Sequence, residues 1–354
     1  MEFRTVADLE QSVWKNLHRF PADIDTVIGI PRSGLMAGSI AALMLNLPLA
    51  DVDGYVAGRS FRTGRTRPVR ALRGGARPKV LLVDDSVRTG DAMRAARAQL
   101  TEACPEIEIV TCAIYAAPEV AHTVDLPLEL VATPRLFLWN AMHHPFIGNA
   151  CLDLDGVLCV DPTEADNDDG PCYEAFLAQV RPLHLPAQRI GTIVTSRLER
   201  YRPQTEEWLA RHGVMYDKLV MLDLPDAATR QRLGCHASFK AEYYRASNAV
   251  LFIESDREQA ADISLISGKP ALWLGGPVLF RPDRSPDKAM LESMSRVRRD
   301  GILRLKNALR RSLGQGRYDW AKRMVRDPLV AVWSASRQGI ATSRKQIWRS
   351  VPEK

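Results

Sequence analysis

Cysteine is scarce in this chain, with 6 among 354 residues. A disulfide scaffold is therefore excluded, and the spacings of Cys151, Cys159 and Cys172 match no zinc-ligand pattern. No stretch reaches the length of uninterrupted apolar sequence that a membrane-spanning helix needs. The opening MEFRTVADLEQSVWKNL lacks the basic-then-apolar order of a secretion leader and reads as an amphipathic helix. Internal repeats and long polar low-complexity tracts are also missing. These absences predict a cytoplasmic chain with reduced thiols. What is present is 46% hydrophobic residues, enough for two domains with separate cores.

Positive charge is unevenly placed. Residues 281–354 hold 19 lysines and arginines against 7 acids, whereas residues 1–280 hold 29 against 35. The basic character thus belongs to a C-terminal region, where 288–312 and 318–348 read as helices. Such helices suit packing on the acidic remainder of the chain better than a nucleic-acid backbone or an acidic membrane surface.

Apolar strands alternate with helical segments through the rest. Strands are expected at Thr26–Ile30, Leu49–Asp53, Val80–Val83 and Ile107–Ile114, then at Ala150–Leu154, Ile190–Val194, Lys218–Met221, Val250–Ile253 and Ala271–Leu274. Helices are expected at 8–19, with Leu9, Val13, Trp14 and Leu17 on one face, and at Leu35–Leu45, Thr89–Cys104, Thr205–His212 and Ala237–Ala246. This alternation predicts an α/β chain with mostly parallel sheets. The boundaries fall at 1–147, 148–280 and 281–354. Between the second and third strands, 58–79 carries seven arginines and little apolar content, which reads as a long loop.

The strand at Val80 ends on Asp84-Asp85. Ser86-Val87-Arg88-Thr89-Gly90 is expected to turn into the helix that begins near Asp91. A strand entering a helix through such a turn aims several backbone N–H groups at one anion. Two adjacent carboxylates can accept hydrogen bonds from sugar hydroxyls or hold a hydrated cation. This box resembles the phosphoribosyl-diphosphate motif of type I phosphoribosyltransferases. The resemblance implies that Asp84 and Asp85 bind ribose, that Ser86, Val87, Arg88, Thr89, Gly90 and Asp91 cradle the 5′-phosphate, and that phosphoribosyl diphosphate is a co-substrate. Upstream, Gly29-Ile30-Pro31-Arg32-Ser33-Gly34 resembles the family's diphosphate loop, which assigns Arg32, Ser33 and Gly34 to that ligand. Arg59, Arg62, Arg65 and Arg67 stand where the family has a mobile catalytic loop, with Arg59 the first choice for neutralising the departing diphosphate. Two departures are visible. Arg88 occupies the position of a purine-salvage aspartate, and residues 59–78 contain no lysine of the orotate type.

A second box reads Cys151-Leu-Asp153-Leu-Asp155-Gly-Val157. Two carboxylates at a strand end can divide the work of nucleophile and general acid/base at phosphorus. The box resembles the first motif of the haloacid dehalogenase superfamily, and three further segments follow in order. Ile193-Val194-Thr195-Ser196-Arg197 resembles its second motif, Lys240 its third, and Leu251-Phe252-Ile253-Glu254-Ser255-Asp256 its fourth. The resemblance implies Asp153 as nucleophile and Asp155 as acid/base. It gives phosphoryl contact to Thr195, with Ser196 its rival, and phosphate neutralisation to Lys240. Mg2+ would be held by Asp153, the backbone carbonyl of Asp155 and Asp256, with Glu254 the alternative to Asp256. The short spacings between these motifs leave room for only a minimal cap. The acidic stretch Asp161–Asp169 reads as a solvated loop, and His236 lies close enough in sequence to Lys240 to touch substrate.

The two resemblances together imply two Rossmann-like domains followed by a basic helical region. The function they suggest is phosphoribosyl transfer to a nucleobase-like acceptor, coupled to Mg2+-dependent hydrolysis of the resulting phosphomonoester. A phosphatase regulated by a nucleotide-sensing first domain is the first alternative. A nucleic-acid-end phosphatase with a backbone-gripping tail is the second. The partners are a small phosphorylated metabolite and the acceptor base, and the sequence is compatible with a homo-oligomer.

Overall fold

The computed structural model describes residues 1–62 and 77–283. Arg65, Arg67 and the helices expected at 288–312 and 318–348 lie outside the described residues. The first half follows the predicted alternation. Its elements are β1 (Glu2–Arg4), α1 (Val6–Lys15), β2 (Thr26–Gly29), α2 (Ser33–Leu45), β3 (Leu49–Asp51), α3 (Val52–Val56), β4 (Lys79–Val87), α4 (Asp91–Ala103), β5 (Glu108–Ala116), β6 (Leu126–Leu130) and β7 (Arg135–Phe137). Five of these strands form a parallel sheet in the order β3-β2-β4-β5-β6. Ile28, Leu81 and Leu82 are fully buried in it. Each such side chain contributes about 1.5–3 kcal/mol by leaving water.

Two expectations for this half change. Helix α1 starts earlier than predicted because Thr5 and Asp8 form a reciprocal capping box. Trp14 is 61% exposed and does not share the buried face of Leu9 and Val13. Strand β4 also runs farther than expected. Ser86 pairs with Tyr115 and Val87 with Ala116, so both belong to the strand and Val87 packs in the core. The turn itself is only Arg88-Thr89-Gly90.

The second half contains β8 (Ala150–Leu152), α5 (Pro171–Gln179), β9 (Ile190–Leu198), α6 (Arg202–Arg211), β10 (Tyr216–Leu222), α7 (Ala227–Leu233), α8 (His236–Ala246), β11 (Leu251–Glu254), α9 (Arg257–Ser267), β12 (Ala271–Trp273) and β13 (Val278–Phe280). Its sheet runs β10-β9-β8-β11-β12-β13, parallel except for the last strand. Cys151, Val194 and Phe252 are buried along its central strands. The three-residue strand β8 sits inside the sheet between β9 and β11, and the chain leaves it at Asp153.

A parallel two-stranded ribbon, β1 with β7, joins the halves. Successive residues of β7 face opposite ways. Leu136 packs into the core of the second sheet with Ile147 and Phe3, whereas Phe137 packs into the core of the first with Tyr115. Arg281, just after β13, reaches back to the Met1 carbonyl and the Glu2 carboxylate.

Candidate active sites

In the first site, β4 delivers Asp84 and Asp85 side by side, 8% and 4% exposed. The loop after β2 approaches them closely because it carries glycines. A Cβ on Gly34 would stand 2.9 Å from the Val83 carbonyl and 3.0 Å from Asp84 Oδ1, and one on Gly29 would stand 2.7 Å from Leu35 Cα. Ser33, the first residue of α2, donates to Asp85 Oδ1 at 2.7 Å. Arg32 is exposed on the same loop, where the Pro31–Arg32 peptide is cis. Burial first, and then the neighbouring Asp85 charge, push the Asp84 carboxyl up to about 8. Among the described residues neither acid forms an ion pair. A buried carboxylate pair of this kind fits a vicinal diol or a hydrated Mg2+, either of which would relieve the repulsion.

The turn into α4 closes the site. Gly90 takes φ +81°, and its Cβ would meet Arg94 Nη1 at 2.9 Å. The Thr89 hydroxyl donates to Asp91 Oδ2 at 2.6 Å, and Asp91 pairs with Arg94. Arg88 and Thr89 are exposed. Arg59 and Arg62 are exposed too, and the segment 63–76 that follows them lies outside the described residues.

Two contributors to this site went unassigned in the sequence. Trp139 Nε1 donates to Asp85 Oδ2 at 2.8 Å, and its ring stacks on Phe137 at 4.8 Å. Arg135 lies over the Phe137 ring at 5.3 Å and donates to the Val131 carbonyl. The signal for Trp139 was the aromatic-rich segment 137–139, since a tryptophan packed on one face still needs a partner for its N–H.

In the second site, Lys240 from α8 is 2% exposed. Its Nζ donates to Asp153 Oδ2 at 2.7 Å, to Glu254 Oε2 at 2.8 Å and to Gln259 Oε1 at 3.1 Å. Asp153 Oδ1 accepts from the Leu154 N–H. Burial and the Glu254 charge drive the Asp153 carboxyl upward, while Lys240 opposes them. Gly156 takes φ +73°, and a Cβ there would collide with Ser255 Oγ at 2.1 Å and with Asp161 Oδ2 at 2.6 Å. Only glycine lets the chain turn between the first and fourth motifs.

The predicted residues are partly brought together. Asp153, Lys240 and Glu254 share one buried cluster, and Thr195 and Ser196 lie at the end of neighbouring β9. Asp155 instead turns to Arg197, which grips it through Nε at 3.0 and 3.2 Å and through Nη2 at 2.6 Å. Arg197 is 1% exposed and had no role in the sequence reading, although it ends the second motif. Asp256 is exposed and caps α9 by accepting from the Gln259 N–H. Among the described residues, no three histidines, cysteines or acids converge as a metal set. Of the expected Mg2+ ligands, Asp153 and Glu254 share Lys240, Asp256 caps α9, and Asp155 gives its carboxylate to Arg197 while its backbone carbonyl accepts from the Ser255 hydroxyl at 3.4 Å. Thr195 Oγ1 accepts from the Arg197 N–H, whereas Ser196 Oγ is buried without a partner. The acidic stretch is also more engaged than expected. Asp168 accepts from N–H groups at the start of α5, and Asp169 contacts Arg200, Tyr201 and Ala227.

Comparison with known proteins bears on the first site. Residues 3–127 match the phosphoribosyl transferase domain family. The xanthine-guanine phosphoribosyltransferase of Chromohalobacter salexigens is 32% identical over 130 residues, covering 34% of this chain and 75% of that protein. Among solved structures, the purine phosphoribosyltransferase of Pyrococcus horikoshii is 18% identical, with a TM-score of 0.29, over 39% of this chain and 95% of that one. The xanthine-guanine-hypoxanthine phosphoribosyltransferase of Helicobacter pylori is 13% identical, with a TM-score of 0.29, over 39% and 91%. Membership rests on the sequence matches, which fall on β2, β4 and the glycine loops described above: the chain belongs to the phosphoribosyltransferase family.

Proposed function

We propose that the first site transfers a phosphoribosyl group from phosphoribosyl diphosphate to a purine-type base, and that the second site hydrolyses a phosphorylated product of that transfer. The observation that carries the first half is the buried Asp84–Asp85 pair set between two glycine-bearing loops. Asp84 and Asp85 take the ribose hydroxyls, with Mg2+ held at the same carboxylates when bound. Mg2+ there offsets the charge of the diphosphate. Arg88, Thr89, Gly90 and Asp91 surround the 5′-phosphate. Ser86 and Val87 contribute through their place in β4. Arg32, Ser33 and Gly34 line the diphosphate, and Arg59 neutralises it as it leaves. The purine preference is drawn from the named relatives.

The second half is carried by the contact of Lys240 Nζ with Asp153 Oδ2 at 2.7 Å. Lys240 aligns the nucleophilic carboxylate and supplies positive charge for a phosphoryl group. Thr195 and Ser196 offer hydroxyls, and Asp155 stands ready on Arg197 as the second carboxylate. The coupling to the first site is chemical, since phosphoribosyl transfer yields two phosphorylated products.

Assaying phosphoribosyl transfer with xanthine, guanine, hypoxanthine and adenine tests the first half. Base-dependent diphosphate release that Asp85→Asn abolishes supports it, and no transfer to any of the four contradicts it. Orthophosphate release abolished by Asp153→Asn supports the second half.

A further inference from the structure

A buried charge beside the second site has no counterion among the described residues. Arg230, on α7, is 7% exposed. Its Nη1 donates to the Ser196 carbonyl at 2.9 Å, and its Nη2 reaches Asn167 Oδ1 at 3.5 Å. Both acceptors are neutral. The Nε is buried without a partner, as is the hydroxyl of Ser196, whose carbonyl Arg230 holds. Among the described residues no carboxylate lies within ion-pair distance of this guanidinium. Arg197 and Lys240 nearby are each satisfied by carboxylates.

Leaving a guanidinium buried and unpaired costs several kcal/mol, so such a group is retained where an anion arrives to complete it. Several observations point toward the site rather than toward a merely structural role. Arg230 is tied to the backbone of Ser196, the residue after Thr195, at the end of the strand that carries the second motif. His236, the first residue of the helix that carries Lys240, is half-buried and feels both Arg230 and Lys240. Burial and these two cations lower its pKa, so the neutral ring leaves Arg230 as the unpaired charge. Lys240 is spent on Asp153 and Glu254. The free positive charge of the site therefore lies at Arg230, offset from the nucleophile.

We infer that Arg230, with Ser196 and His236, forms a second anion position, and that the second site hydrolyses inorganic diphosphate. This rests on the phosphohydrolase reading above and selects its substrate. A nucleotide monophosphate has one phosphate and leaves Arg230 unpaired. Of the two phosphorylated products of phosphoribosyl transfer, diphosphate alone carries a second phosphate group. Asp153 attacks one phosphorus, and the bridging P–O bond breaks. The departing orthophosphate keeps the bridging oxygen and its electron pair, held on Arg230. Water then attacks the phosphoryl-aspartate, and the P–O bond to Asp153 breaks. The carboxylate is regenerated, and the proton given up by water ends on the departed orthophosphate. One diphosphate and one water yield two orthophosphates, which draws the first site's reaction forward.

The test uses the full chain with Mg2+ and compares inorganic diphosphate, GMP and fructose 1,6-bisphosphate. The expected result is a kcat/KM for diphosphate at least about 10-fold above that for GMP. Arg230→Gln should lower the diphosphate value by about 10- to 100-fold, the range for a lost charge-assisted hydrogen bond, and narrow its ratio to GMP. Arg230→Lys, which keeps the charge, should fall between. Preference for GMP or for the bisphosphate, or a ratio that neither substitution changes, overturns the proposal. If nothing is turned over, calorimetry on the Asp153→Asn chain decides, with Arg32→Ala and Thr89→Ala weakening the first site's diphosphate and 5′-phosphate loops. Inorganic diphosphate bound at least about 10-fold tighter than orthophosphate, and loosened by Arg230→Lys, supports the anion position while removing the hydrolysis reading. Equal binding of the two anions overturns both.

Discussion

Trp139 donates its indole N–H to Asp85 across 54 positions of sequence, at 2.8 Å. The bond links the turn that follows β7 to the acid pair that defines the first site. Trp139→Phe keeps an aromatic ring for the stack on Phe137 and removes the donor. The KM for phosphoribosyl diphosphate should then rise by about 10-fold, as expected for a hydrogen bond to a carboxylate, in steady-state kinetics with saturating base. An unchanged KM would show that Asp85 needs only Ser33 to hold it.

Asp84 makes a prediction about pH. Its folded-state pKa, about 8, lies above the ordinary value of 3.8. Between those values the folded chain binds a proton that the unfolded chain does not. Stability from this group is thus complete at acid pH and is lost as pH rises through about 8. Asp84→Asn should raise the melting temperature more at pH 8.5 than at pH 5, measured by thermal denaturation. Ligand binding has the opposite sign, because a diol or Mg2+ prefers the ionised pair. Affinity for phosphoribosyl diphosphate should increase from pH 6 to pH 8.5 in calorimetry.

Arg197 is buried beneath Asp155 and pairs with it in a bidentate fork. Arg197→Gln leaves that carboxylate without its partner, which costs about 3 kcal/mol, the low end for a buried pair because Asp155 keeps some exposure. Denaturant melts at pH 7 would measure the loss. A change under about 0.5 kcal/mol would mean that solvent replaces the guanidinium.

Much of this architecture was legible in the sequence. The places of β2, β4 and β8 were visible, though not their ends, because short β-branched and leucine runs lead into acids or glycines, and buried parallel strands need such runs. Lys240 was visible through its order among four motifs. The extension of β4 through Val87 was not, since it depends on pairing with Tyr115 and Ala116, far along the chain. The ribbon β1–β7 joins residues 2–4 to 135–137, and no local pattern announces it. Arg197 and Arg230 carried no assignment in the sequence, and only the fold shows that both are buried. Nor does spacing along the sequence say which cation each carboxylate will find.

The ribbon leads to a prediction about the halves. Leu136 is 3% exposed and packs with the second sheet, although its neighbour in β7, Phe137, packs with the first. Leu136→Ala should destabilise the chain by about 2–4 kcal/mol in denaturant unfolding. A fragment ending at residue 147 would expose Leu136, Phe3 and Ile147 together and should aggregate at concentrations where the full chain is soluble.

Phosphorus NMR of the full chain with phosphoribosyl diphosphate, Mg2+ and a purine base follows both sites at once. Coupled turnover consumes phosphoribosyl diphosphate only when base is present, and yields orthophosphate with the wild-type chain but not with Asp153→Asn. Consumption without base, or the same orthophosphate signal from Asp153→Asn, would contradict the coupling.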